Sequence, residues 1–209
     1  MGKSLLIGSC EPFSGKSAFV LGVSRQLMAA KQDIRFGKPL ATSLELGLDL
    51  VASPSSSKGP LIDDDVRFIG DTLGLSENQL IPSLHLLGSS TADQRLSDSN
   101  LDAGEGFEVL KSKLKTPFDG LNILEAAGSL HEGLLYGLSL EQLARGLDAR
   151  VILVHLWQNS CSVEALLAAK EQLGDHLVGI VLNAVTPDEV HALKRSVVPS
   201  LEKLGLSVL

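Results

Sequence analysis

The chain has 209 residues, with 18 Lys and Arg against 25 Asp and Glu, a formal net charge of −7 at pH 7, and an ordinary globular composition of 44% hydrophobic and 21% charged residues. That length is enough to bury one full core. An acidic balance without a Lys/Arg run excludes a nucleic-acid or anionic-membrane footprint, and no apolar run approaches the ~20 residues of a membrane span.

In chain order, the strands are expected at Ser4–Gly8, Ile34–Lys38, Leu121–Glu125, Val151–His155 and Gly179–Leu182. Several are continuous apolar runs, the pattern of parallel strands buried on both faces. Helical spacing is expected over Lys16–Ala30, Asp64–Leu73, Leu101–Leu114, Leu138–Leu147, Val163–Leu173 and Thr186–Lys203. Strand–helix alternation along the whole length predicts an α/β fold, a doubly wound, mainly parallel sheet flanked by helices. Residues 48–65, with a Ser/Pro/Gly centre, read as a long flexible loop, and Gly88–Asp102 as a second loose polar region. The tail "LEKLGLSVL" reads as a helix running into the start of one more strand. Without repeats or a composition shift, residues 1–209 are expected to form a single domain, which could be the N-terminal part of a longer protein. The start of the chain reads as strand and loop rather than a secretion signal, and the two cysteines are too far apart for a metal cluster, so the expected location is the cytoplasm.

The chemistry concentrates in "GSCEPFSGKS", residues 8–17. Gly15-Lys16-Ser17 at a strand-to-helix junction is the second half of a phosphate-binding loop, in which backbone N–H groups and the helix dipole favour phosphate, Lys bridges phosphates, and the hydroxyl meets Mg²⁺. The other reading is a helix cap by Ser14 or Ser17, which has no need of Lys16. The first half departs from the pattern. Gly8 lies seven residues before Gly15 instead of five, Glu11 brings a carboxylate, and Pro12 removes a backbone donor. Lys38-Pro39 closes the second strand at the sheet edge where ligands bind, or is a solvated strand end. Glu125 in "EAAG" is a metal ligand or a solvent-facing acid. Of Asp63, Asp64 and Asp65, one reaches a metal, or all three complement a helix dipole.

In this order these residues resemble the dethiobiotin synthetase-like P-loop family, over essentially the whole chain. The resemblance implies a P-loop NTPase fold. It implies a nucleotide site of Gly15, Lys16, Ser17 and Lys38, with Asn183 of "GIVLNAVTP" reading adenine, and a metal site of Ser17, Asp65 and Glu125. Mg²⁺ and ATP are the implied cofactors, and a homodimer the implied assembly. The E-P-x-S-G-K-S form of the loop looks more like that of the N-terminal regulatory domain of large phosphate acetyltransferases and of stand-alone relatives, a domain often followed by a DRTGG motif that this chain lacks. That implies a regulatory or assembly module, joined to a protein partner or a downstream domain. Pro12 stands where the synthetase has a threonine, which argues against the full synthetase reaction. The alternatives are an ATP-dependent carboxylating or amide-forming ligase of the dethiobiotin synthetase or cobyrinic acid diamide synthase type, and a degenerate P-loop scaffold for protein interaction. Whether the chain is an enzyme stays open, a weak ATPase activity being the option, and no catalytic residue is assigned. His155 reads as a satisfied core or interface histidine against a less favoured catalytic or ligand role, Cys161 as a buried packing residue, and Trp157 and Tyr136 as packing or dimer-contact residues; Cys10 reads as packing against a less favoured redox switch, and His131 as a ligand contact or a loop residue without a role.

Overall fold

The computed structural model describes residues 3–42, 60–99 and 101–209. Of the long loop expected over residues 48–65, residues 48–59 lie outside the described residues.

The central sheet is built from β1 (Lys3–Gly8), β2 (Asp33–Gly37), β4 (Leu80–Ile81), β6 (Gly120–Glu125), β7 (Arg150–Leu156) and β8 (Leu177–Asn183). Its six strands run in the order β4-β2-β6-β1-β7-β8. Every pairing among them is parallel. A separate two-stranded ribbon joins β3 (Leu40–Ala41) to β5 (His85–Leu86). The helices are α1 (Lys16–Ala29), α2 (Asp64–Leu73), α3 (Ser89–Asp98), α4 (Glu105–Lys115), α5 (Leu140–Leu147), α6 (Val163–Leu173) and α7 (Pro187–Lys203).

Successive strand residues point to opposite faces, and here both faces are apolar. Ile7, Ile123 and Val154 pack with Val20 of α1 and Val66 and Ile69 of α2. Their strand neighbours Leu6, Leu124 and Leu153 pack with Leu114 of α4, Leu143 of α5, Leu166 of α6 and, at the end of the helical layers, Leu201 of α7. The sheet is therefore the middle of three layers. From β1 the chain crosses to β2 on one side, whereas its neighbour β6 leads to β7 on the other, so the connections of β1 and β6 run in opposite directions. Such a reversal is the place in a doubly wound sheet where ligands bind, beyond the carboxyl ends of the strands.

The expected strands and helices stand within a few residues of their predicted bounds, and the three two-residue strands had no sequence pattern long enough to announce them. Gly88–Asp102, expected to be loose, instead carries α3. Its order comes from tertiary bonds that no local pattern shows: Thr91 Oγ1 meets the Tyr136 hydroxyl at 3.1 Å, and Arg95 Nε donates to the Leu135 carbonyl at 3.2 Å. The helix expected from Leu101 begins only at Glu105, because Gly104 precedes it at φ 71° and its N–H is taken by the Asp102 carboxylate at 2.8 Å. At the tail, Val208 makes an isolated parallel bridge to Ile180 on the β8 edge. Among the described residues no helix is long and apolar enough to cross a membrane.

Gly8 ends β1 under α5: a Cβ there would collide with the side chain of Leu140, which is fully buried. This contact seats α5 over the start of the phosphate loop. Leu140→Ala is expected to cost about 2–5 kcal/mol of stability, the usual range for emptying a buried leucine site, read by urea unfolding.

Candidate functional site

The loop from β1 to α1 closes on itself through Lys16. Its ammonium, on a residue only 7% exposed, donates to Ser9 Oγ at 2.8 Å and to the Gly128 carbonyl at 3.2 Å. Ser9 Oγ lies 2.7 Å from the Glu11 carbonyl and 2.8 Å from that of Gly128, its two acceptors. Gly15 has φ 92°, a left-handed conformation that favours glycine, and a Cβ at that position would strike Asn183 Nδ2. Phe13, at φ 59° and 96% exposed, is held in the same strained region without a glycine's freedom.

The opposite wall is β6. Glu125, its last residue, stands in register with Ile7 of β1 and is 2% exposed. Its Oε1 accepts the Ser17 hydroxyl at 3.1 Å, while its Oε2 is buried with no hydrogen-bond partner among the described residues. Burial raises the Glu125 pKa, against the opposing pull of Lys38 and Lys16. Burial likewise lowers the Lys16 pKa, with Glu125 the main charge resisting it.

The third wall follows β2. Lys38 is no solvated strand end: it is 4% exposed, and its ammonium lies 3.0 Å from Asp65 Oδ2 and 3.4 Å from Asp63 Oδ2, with the Thr42 hydroxyl as a further partner. Burial alone would depress its pKa; Asp63, Glu125 and Asp65 together outweigh that and raise it. The acidic triplet divides its work. Asp63 caps α2, accepting the Asp65 N–H at 2.9 Å, and also accepts the Thr42 N–H at 2.7 Å. Asp65, with its side chain 46% exposed, faces the cleft.

Gly15, Lys16, Ser17, Lys38, Asp65 and Glu125 thus line one cleft of about 450 Å³, together with Pro12, Gly128 and Glu132. Asn183 does not line it. It donates to the Ser14 carbonyl at 2.7 Å and edges a neighbouring groove between α1 and the β7–β8 face. His131 is exposed and outside the cleft, Tyr136 and Trp157 are buried packing residues, and Cys161 is exposed rather than buried. Sequence reasoning did not single out Ser9, Thr42 and Glu132. Ser9 and Thr42 had a faint signal, hydroxyls beside the loop lysine and four residues after Lys38. Glu132, whose carboxylate accepts the Gly128 N–H, had none.

Chemically, two ammonium groups facing one cleft suit a polyphosphate. A hydroxyl beside a carboxylate with a spare buried oxygen suits a hard divalent cation, so Ser17 and Glu125, with Asp65 across the cleft, fit Mg²⁺.

The parallel sheet and this loop define the class: the chain is a P-loop NTPase-fold domain. A family model described as an AAA domain matches residues 3–208, and the chain belongs to that family. Among solved structures, chloroplast FtsY of Physcomitrella patens gives a TM-score of 0.57 at 10% identity, covering 100% of this chain and 57% of that one, a likeness of fold. The signal recognition particle receptor FtsY of Elizabethkingia anophelis in complex with GDP gives 0.47 at 14% identity, over 87% of this chain and 49% of that one. The ATP complex of a Cyanothece McdA variant gives 0.47 at 19%, over 99% and 81%. The chain spans about half the length of the FtsY chains it matches.

Cys10 Sγ lies 3.5 Å from the Ala165 carbonyl, and burial, reinforced by the Glu11 charge, pushes its thiol pKa up to about 11. A protonated thiol is a poor nucleophile, which weighs against a redox switch. Limited iodoacetamide treatment at pH 8 is expected to modify the exposed Cys161 at least tenfold faster than Cys10, as read by peptide mass spectrometry.

Proposed function

We propose that this domain, residues 1–209 as one unit, is a Mg²⁺-ATP-binding regulatory or assembly module of the dethiobiotin synthetase-like P-loop type. Its functional parallel in this reading is the N-terminal regulatory domain of large phosphate acetyltransferases. The observation that carries this reading is the convergence of Lys16, Ser17, Lys38 and Glu125, from three separate strand ends, on one cleft in which Glu125 Oε2 has no hydrogen-bond partner among the described residues.

In this reading Lys16 and Lys38 hold the phosphate oxygens, the N-terminal turn of α1 adds its N–H groups and dipole, and Ser17, Glu125 and Asp65 hold the cation. The cation would neutralise phosphate charge. Asn183 supports the loop at Gly15 and faces the base from the adjoining groove. Regulation or assembly, without the synthetase reaction, is favoured by the resting arrangement. Pro12 offers no hydroxyl beside the phosphates, and Lys38 is clamped by two carboxylates instead of standing free to follow a moving phosphoryl group. The module works as a cytoplasmic homodimer that reports nucleotide occupancy to a partner or to an attached domain.

The test is thermal unfolding with Mg²⁺-ATP, ADP and GTP, with Lys16→Ala as control. Saturation at about 100 times Kd stabilises by about 2.7 kcal/mol. For a domain of this size that is a rise in midpoint of about 5–11 °C. The rise is expected with Mg²⁺-ATP and is expected to be lost in Lys16→Ala, while Glu125→Gln weakens the Mg²⁺-dependent part about 10–100-fold. ATP turnover that requires a diamine and bicarbonate would replace the regulatory reading with the ligase. No shift at millimolar nucleotide would leave a scaffold.

A further inference from the structure

The loop carries one group that the phosphate site does not use. Glu11 places its Oε1 3.8 Å from Nδ1 of His155, which sits near the end of β7 and is 1% exposed. Neither ring nitrogen of His155 has a hydrogen-bond partner among the described residues, and neither does that oxygen of Glu11, although all three atoms are buried. Buried polar atoms are almost always paired, so three orphans on two facing side chains mark an interaction that another state of the molecule completes. At 3.8 Å the pair is too long for a hydrogen bond and short enough to become one with a shift of about 1 Å.

That shift has somewhere to go. Ser9 Oγ bonds the Glu11 carbonyl and accepts from the ammonium of Lys16. A displacement of Glu11 therefore reaches the phosphate-binding lysine through one hydroxyl.

We propose that His155 is a positioning residue of the phosphate loop, acting through Glu11: when the imidazole is charged it draws in and neutralises the Glu11 carboxylate, and the loop accepts polyphosphate more tightly. This rests on the nucleotide-binding reading above and specifies how that site is regulated.

The direction follows from the surroundings. Burial lowers the His155 pKa and Glu11, on the loop after β1, partly restores it. β8 places Leu182 beside His155 in register and brings no charge there. At neutral pH the ring is uncharged and Glu11 adds a negative charge to a loop that must take phosphate. As pH falls below the ordinary histidine range the ring charges, the pair forms and the repulsion is removed. Linkage requires the converse, that nucleotide binding takes up a proton at His155.

Calorimetric titration of Mg²⁺-ATP and Mg²⁺-ADP between pH 5.5 and 8.5 tests this. Wild type is expected to bind about tenfold more tightly at the acid end, the scale of one charge near a partly buried phosphate. His155→Gln is expected to lose that gain, staying at the weak neutral-pH affinity. Glu11→Gln, on a partly exposed residue whose replacement does not threaten folding, is expected to bind tightly at all pH values. Titration of ATP itself and of Glu125 is common to all three proteins and cancels in the comparison. NMR titration of the imidazole without nucleotide supplies the independent readout, and Glu11→Gln is expected to move the His155 midpoint to lower pH. Wild-type pH dependence in either variant, or an unmoved midpoint, overturns the inference. Absence of nucleotide binding at every pH overturns the functional reading and this regulation with it. A His155 midpoint that still moved in Glu11→Gln would show that the pairing itself was not at fault.

Discussion

Two ammonium groups buried at the carboxyl edge of one sheet are the constraint around which the rest of this domain is arranged. A charge taken out of water must be met by opposite charge or by dipoles, or it is too costly to keep. Lys16 is met by the Ser9 hydroxyl and the Gly128 carbonyl, with Glu125 as its main opposing charge. Lys38 is met by Asp63, Asp65 and Thr42. Those partners lie on different elements, so the ends of β1, β2 and β6 and the start of α2 are held together by the need to satisfy two cations. Asp63 shows the economy of this. One carboxylate caps α2, receives the Thr42 N–H and balances Lys38. The cleft that results holds two ammonium groups and, at Glu125, a buried carboxylate oxygen without a hydrogen-bond partner among the described residues. That combination suits a phosphate accompanied by a metal ion better than either alone.

The phosphate loop itself is a compromise between two demands. Its length and its residues Glu11, Pro12 and Phe13 depart from a loop that only wraps phosphate. Gly15, by contrast, keeps the left-handed turn that delivers Lys16 and Ser17 at the mouth of α1. The departures divide: Pro12 and Phe13 border the cleft that holds Lys16, whereas Glu11 does not line it. Phe13 stands almost entirely in solvent and Glu11 turns toward His155. A loop strained at an exposed aromatic, and carrying a carboxylate beside a buried imidazole, has features that binding alone does not require. The fold is shared by proteins that use it differently, and the particulars of this site carry the functional argument.

Much of this was legible in the chain. Apolar runs such as "LLIG" and "VILV" signalled strands buried on both faces, and "SGKS" between strand and helix marked the ligand end of the sheet. Lys38, Asp65 and Glu125 were each visible as polar residues at an element boundary. What each would touch was not. Asn183 looked like a base-reading residue, and no sequence pattern announced that it also braces the Ser14 carbonyl and leaves no room for a side chain at Gly15. Gly88–Asp102 looked loose because its composition is polar, yet α3 is anchored there by Tyr136 and Leu135, more than thirty residues onward.

The division has a physical reason. Periodicity, turn chemistry and helix caps are local: they depend on residues a few positions apart, and the sequence alone settles the α/β alternation and the place of the phosphate loop. Ion pairs and braces between distant segments depend on loop closures that no segment controls. Lys38 meets Asp65 across 27 positions, Ser17 meets Glu125 across 108 and Asn183 meets Ser14 across 169. Only the tertiary structure decided that these residues share one edge, which of three neighbouring aspartates caps a helix, and that Glu11 Oε1 and the His155 ring face each other without hydrogen-bond partners among the described residues.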